Sequence, residues 1–303
     1  MIKPPFPWFG GKRLVSSIVW KAFGNVQNYI EPFFGSGAIL LNRPTEPGKE
    51  IINDKDHWIA NFWRAVKNDP EAVAKWADNP VNEDDLTARH IHLVKYIMPE
   101  MSRRIMADPD YFDAKAAGWW VWGICCWIGS GWCSGNGPWT EEDGQLVHLG
   151  SAGQGVKRKR QELTEYFTQL SSRLARVSVC CGDWQRVVTD GALNYGSTVG
   201  IFLDPPYTAG AERDANLYNH DDLNIGHDVY KWALDNGSNP RYRIALCGYE
   251  GEYDIPDTWE THAWKAGASY QTATSVNDNS KKERVWFSPN CLPIIRHRQE
   301  KLI

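Results

Sequence analysis

The sequence predicts an α/β fold, a mostly parallel, doubly wound sheet interrupted by a helical insert. Three stretches carry that prediction. Val199–Leu203 is an apolar run with one glycine, the mark of a buried strand, and it ends on Asp204. Asn28–Ile30 leads through Glu31-Pro32-Phe33-Phe34 into a Gly35-Ser36-Gly37 turn and an apolar helix start at Ile39–Leu41. Glu50–Ile52 is a further strand, with Asn53-Asp54 at its end. Acids and glycines at the carboxyl ends of strands sit where open α/β sheets bind their ligands.

Composition bounds the answer. A chain of 303 residues makes one large or two modest domains, and 42% hydrophobic with 23% charged residues is ordinary for a packed core. The net charge of −4 excludes a strongly basic nucleic-acid binder, but local patches matter more than the sum. The basic stretches are Lys157-Arg158-Lys159-Arg160, Arg103-Arg104, Lys281-Lys282 with Arg284, and the tail from Arg296 to Lys301. Each reads equally as a solvated face or, for the first, as a phosphate-contacting patch. Seven cysteines include the adjacent pairs Cys125-Cys126 and Cys180-Cys181, with no C-x-x-C and no zinc spacing. With no signal peptide, the expectation is a reduced, cytoplasmic, metal-free protein.

Taken in order, Pro4–Lys12 is a rigid, aromatic, Gly-rich entry ahead of a helix near Leu14–Phe23. Lys12 lacks the frame of a Walker lysine. In the glycine loop, the third glycine of a dinucleotide fingerprint is absent, because Leu40 holds its place. Asp54 follows the loop by about 20 residues, the separation at which an acid takes ribose hydroxyls. Asp56 reads as the cap of a helix over His57–Lys67, whose Ile59, Phe62, Trp63 and Val66 form a core stripe. Residues 70–115 read as helical, and His90 and His92 as ordinary histidines. Ala116–Thr140 carries no charge and six tryptophans. Its glycines and polar end argue for a buried helix and a Gly-rich loop over a membrane span. That loop is a candidate to bring an aromatic to a bound base. Glu141–Gly155 reads as a loop or hairpin, and the Lys157–Arg160 cluster opens a helix to about Arg173.

Val177–Cys181 is a strand ending at Gly182-Asp183-Trp184. Asp183 is either an acceptor for an adenine amino group, with Trp184 stacking, or a helix cap. After Asp204, Thr208–Leu223 is long and polar and reads as a lid, with Tyr218 and Asn219 as candidate contacts. Arg243–Cys247 is the next strand, and two extended pieces are expected between Ala273 and Pro289.

Asp204-Pro205-Pro206-Tyr207 states its chemistry most plainly. Two prolines fix φ twice and remove two N–H donors, leaving a stiff corner of acceptors. The Asp204 carboxylate and a proline carbonyl suit the two N–H bonds of a planar exocyclic amino group, and the Tyr207 ring can cover the base. The bland alternative is a turn after a core strand.

These motifs together resemble the Dam-like (D12) DNA adenine-N6 methyltransferases. The resemblance rests on Trp-x-Gly-Gly-Lys at Trp8–Lys12, Glu-Pro-Phe-x-Gly-x-Gly at Glu31–Gly37, Asp54, and Asp-Pro-Pro-Tyr at Asp204–Tyr207. It covers residues 4–68 and 177–289. It implies S-adenosylmethionine (SAM) as cofactor, double-stranded DNA as partner, a flipped adenine as substrate and no membrane association. It places Trp8 and Lys12 by the methionine end of SAM, with Lys12 near its carboxylate. Phe33, Gly35 and Gly37 form the cofactor loop, Asp54 takes the ribose, and Asp183 and Trp184 take the adenine. Asp204, Pro205, Pro206 and Tyr207 are catalytic. The implied architecture is a Rossmann-like catalytic domain over 1–69 and 175–303, closed by an antiparallel hairpin. Residues 70–174 are then the target-recognition insert, with Lys157, Arg158, Lys159 and Arg160 on DNA. No segment resembles the GATC-reading portion of bacterial Dam. The alternatives are cytosine-N4 methylation, which usually shows Ser before Pro-Pro, RNA or protein amide methylation, and a silent SAM- or DNA-binding module. C5-cytosine chemistry lacks its Pro-Cys pair here.

Overall fold

The computed structural model describes residues 2–8, 12–127, 131–133, 139–142, 145–148, 160–206, 225–264 and 283–294. Its centre is a seven-stranded sheet built from β1 (Asn28–Glu31), β2 (Lys49–Asp54), β5 (Val177–Cys181), β6 (Val199–Leu203), β7 (Tyr242–Tyr249), β8 (Glu260–Ala263) and β9 (Glu283–Phe287). The spatial order is β5-β2-β1-β6-β7-β9-β8. β5, β2, β1, β6 and β7 are mutually parallel, while β9 runs antiparallel to both β7 and β8. A separate antiparallel hairpin pairs β3 (Trp139–Glu142) with β4 (Gln145–His148).

The sheet is apolar on both faces, as a mostly parallel sheet must be when helices cover it. Tyr29, Ile52, Phe202, Ala245 and Phe287 point into one core. Their strand neighbours Ile30, Ile51, Ile201, Leu246 and Trp286 point into the other. The first core is closed by α1 (Ser16–Phe23), α2 (His57–Asn68), α3 (Pro70–Ala77), α6 (Ala114–Cys126) and α7 (Arg160–Leu174). The second is closed by α9 (Ile225–Asn236), with the short α8 (Asp190–Leu193) and a 3-10 turn at Trp184–Val187. α4 (Glu83–His92) and α5 (Met98–Ala107), joined by a π turn at Leu93–Ile97, complete the helices of the 70–174 stretch.

Sequence expectations meet the structure with three differences. The helix start at Ile39–Leu41 is only a 3-10 turn, Leu40–Asn42. The Asn42 amide donates to Ala38 O, and Pro44 disfavours helical backbone at Arg43. The closing hairpin has its first strand at Glu260–Ala263 rather than after Ala273; residues 265–282 lie outside the described ones. Trp132 does not reach toward a base. It packs on α6, its Nε1 donating to Trp120 O, where a Cβ on Gly123 would lie 1.8 Å from the ring. At 13 residues α6 is too short to span a bilayer, and no helix among the described residues is long and apolar enough to do so.

Two arginines, Arg64 buried and Arg173 half-buried, tie the 70–174 stretch to the sheet. Arg64 of α2 is 5% exposed and donates to the carbonyls of Val179, Ile105, Asp108 and Tyr111. Arg173 at the end of α7 grips the buried Glu50 with two bonds of 2.6 and 2.8 Å, and Arg43 adds a third at 3.1 Å. These contacts fix how α5 and α7 lie against β2 and β5.

Candidate active site

The chain leaves β1 toward β2 on one side and later enters β6 on the other, so the strand order reverses at β1. Ligands of open α/β sheets bind outside the carboxyl ends at such a point. Four strands end there with functional side chains: Glu31 on β1, Asp54 on β2, Asp183 just past β5, and Asp204 just past β6.

At the end of β1, Glu31 is 2% exposed and accepts a 2.7 Å bond from the Tyr29 hydroxyl. Burial pushes its carboxyl well above the usual range, against that bond, and the nearby Asp204 charge adds to the rise. The chain then turns through Phe33 and Phe34, whose N–H donates to Asn53 O at 3.0 Å. Gly35 adopts φ +48°, and a Cβ there would sit 2.5 Å from Cδ1 of Trp8. Only glycine meets both conditions. The Gly35 peptide is held on both sides: its N–H donates to Asp54 Oδ2 at 2.9 Å, and its carbonyl accepts from Trp63 Nε1 at 2.9 Å.

Asp54 takes a second backbone bond, from Asp56 N to Oδ1 at 2.9 Å. Burial, then the charge of Asp56, pushes its carboxyl up to about 7. A carboxylate offers about four acceptor sites, so Asp54 keeps capacity for a further donor. Asp56 caps α2 by accepting from Trp58 N at 2.7 Å. The neighbouring Asn53 joins three loops, because its amide donates to Pro32 O at 3.0 Å and to Gly182 O at 2.9 Å. Asp183 accepts from Gln185 N at 2.9 Å, so the capping role is realised, and its exposed carboxylate retains further acceptor capacity. Trp184 is buried, with its ring 6.4 Å from that of Phe33 and the two planes 30° apart.

Asp204 ends its strand in an ion pair. Its Oδ1 lies 3.0 Å from Lys12 Nζ, with the two side chains 20% and 6% exposed. The Lys12 ammonium also lies 5.3 Å from the centre of the Trp264 ring. Pro205 is buried and Pro206 half-buried.

The structure thus gathers Trp8, Phe33, Gly35, Asp54, Asp183 and Trp184 along one run of loops, and joins Lys12 to Asp204. Gly37, at φ +73°, closes the same turn by donating to Phe34 O. Tyr207, the Thr208–Leu223 segment with Tyr218 and Asn219, and Lys157–Lys159 lie outside the described residues; Arg160 opens α7. His90 stacks on Trp127 and accepts from Cys133 N, a packing role. Sequence reading missed Glu31 as a buried acid, Asn53 as the stitch between loops, and Trp264. An amide inside an otherwise apolar strand end was the available signal for Asn53. Nothing local marks Trp264, which follows the edge strand β8 and reaches Lys12 from there.

Residues 8–94 match the D12 class N6 adenine-specific DNA methyltransferase family. The chain is similar to the type II methyltransferase M1.LlaDCHI of Lactococcus lactis subsp. cremoris, 31% identical over 84 residues, covering 27% of this chain and 29% of that protein. It is also similar to the type II methyltransferase M.MjaIII of Methanocaldococcus jannaschii, 37% identical over 80 residues, covering 24% of this chain and 28% of that one. The matched stretch therefore spans under a third of either relative. The family match contains Trp8, Lys12, the glycine loop and Asp54, and stops well before Asp204.

Proposed function

We propose that this chain is a DNA methyltransferase that transfers a methyl group from SAM to the N6 amino group of adenine. The observation that carries the reading is the placement of Asp204-Pro205 at the sheet's switch point, ion-paired to a lysine from the family-matched region. The residues present fit SAM. Asp54 offers a half-buried carboxylate with spare acceptor capacity, Gly35 clears space beside Trp8, and Phe33 and Trp184 offer aromatic faces. Asp54 would hold the ribose, Asp183 and Trp184 the adenine, and Trp8 with Phe33 the sulfonium end. SAM supplies an activated methyl group on a positive sulfur, which aromatic faces favour.

The target atom is hidden in a duplex, so the base must be flipped out. Asp204 and the Pro205 carbonyl then accept the two N–H bonds of the amino group. Their pull localises the nitrogen lone pair, which is otherwise delocalised into the ring. The rest of the catalysis is positioning. The Tyr207 ring would stack on the base, and the 70–174 stretch would read DNA. In that stretch the β3–β4 hairpin has a shape that a major groove admits.

The test is direct. Unmodified DNA incubated with the protein and SAM should gain N6-methyladenine, mapped at nucleotide resolution. N4-methylcytosine alone would reassign the substrate, and no methylation of any DNA would remove the activity.

A further inference from the structure

We propose that Lys12 is a positioning residue that acts through Asp204, holding one carboxylate oxygen so that the other faces the amino group of the base. This rests on the methyltransferase reading and departs from the role the resemblance implies, a ligand of the SAM carboxylate.

The geometry of the pair points this way. Asp204 sits on a rigid support, since every residue of β6 is buried. The two residues that follow are prolines, so the chain offers no N–H from either to orient the carboxylate. Orientation must come from another element, and the Lys12 ammonium at 3.0 Å supplies it. Lys12 is itself well anchored. Its carbonyl accepts from Val15 N at 3.2 Å and Ser16 N at 3.0 Å at the entry to α1, and its side chain is 6% exposed. Trp264 flanks the ammonium on another side.

Electrostatics give the pair a second purpose. The charge of Asp204 reaches the buried Glu31 and adds to the rise of its carboxyl. The Lys12 ammonium sets an opposite charge beside Asp204 at the end of β6. An ammonium is a compact cation with three rotatable donors, so it can hold Oδ1 and leave Oδ2 to the amino group. A lysine that only bound the cofactor would have no need to lie against the catalytic acid.

The experiment compares Lys12→Met, Lys12→Arg, Asp204→Asn and the Lys12→Met/Asp204→Asn double variant, in single-turnover methylation at saturating SAM. Wild-type activity is established first, so a failure of the methyltransferase reading shows before any variant is made. Lys12→Met should lower the rate on the order of 100-fold, the scale for losing one preorganised charge. Lys12→Arg should recover to within about tenfold of wild type. Adding Lys12→Met to Asp204→Asn should cost less than about threefold more, because both changes strike one unit. The same cycle is read without substrate on the urea midpoint, where Lys12→Met should lower stability beside Asp204 and leave the Asp204→Asn protein unchanged. An unchanged rate for Lys12→Met at saturating SAM, with the loss confined to SAM affinity, would make Lys12 a cofactor ligand and overturn the proposal. Losses that multiply in the double variant would overturn it too.

Discussion

The backbone N–H of Gly35 and the carboxylate of Asp54 meet at 2.9 Å, so the glycine loop of β1 and the acid of β2 are one device. Asp54 is half-buried, and its carboxyl is pushed up to about 7 by desolvation and then by the charge of Asp56. A raised acid keeps in the fold a proton that the unfolded chain gives up. Its contribution therefore favours folding at low pH and is lost as pH rises from about 4 to about 7. Asp54→Asn should gain stability relative to wild type across that window and hold the gain above it, as read by urea unfolding at pH 5 and pH 8. SAM affinity should behave oppositely. The ionised carboxylate is the better acceptor for ribose, so wild-type binding should tighten between pH 6 and pH 8. At pH 8 Asp54→Ala should lose about 1.5–3 kcal/mol of SAM binding. Calorimetry giving one SAM affinity for both proteins would take Asp54 out of the site.

Asp204→Ala should abolish methyl transfer while DNA stays bound, because DNA affinity comes chiefly from phosphate contacts elsewhere. Asp204→Asn keeps one acceptor oxygen, so a trace of activity should survive. Tyr207→Ala should cost roughly 1–3 kcal/mol of base stacking. Tyr207→Phe should cost little if the ring alone matters. Full activity in Asp204→Ala would refute the mechanism.

Arg64 joins α2 to β5 and to the end of α5 through four carbonyls. Arg64→Met would strand those acceptors in the core. The expected loss is about 3–5 kcal/mol, the range for removing one partner from a buried charged arrangement. Amide exchange should quicken first across Ile105–Tyr111. A urea midpoint equal to that of wild type would show the carbonyls to be satisfied in some other way.

Neutralising Lys157, Arg158, Lys159 and Arg160 should weaken binding to all DNA sequences alike and flatten its dependence on salt. Arg160, the last of the four, opens the helix that carries Arg173 to Glu50. A salt slope identical to that of wild type would mark the cluster as a solvated helix start.

Much of this protein was legible in the chain itself, because the signals were local. Val199–Leu203 and Glu50–Ile52 read as buried strands since both of their faces are covered. The Asp56 cap and the apolar stripe of α2 read directly from residue spacing. Gly35 was legible because a turn at φ +48° beside a tryptophan ring admits no side chain. What only the tertiary structure decided depends on residues distant in sequence. Lys12, at the entry to α1, meets Asp204 across 192 positions, a pairing that no local spacing records. Glu31 became a buried acid because Tyr29 shares its strand and Asp204 arrives alongside. The strand that closes the sheet with β9 proved to be Glu260–Ala263, whose short, half-exposed, polar-alternating pattern is indistinguishable from a loop until a neighbour pairs with it. Spacing along the chain records periodicity and turn chemistry, whereas charge pairing and sheet order are set by which surfaces the folded chain buries together.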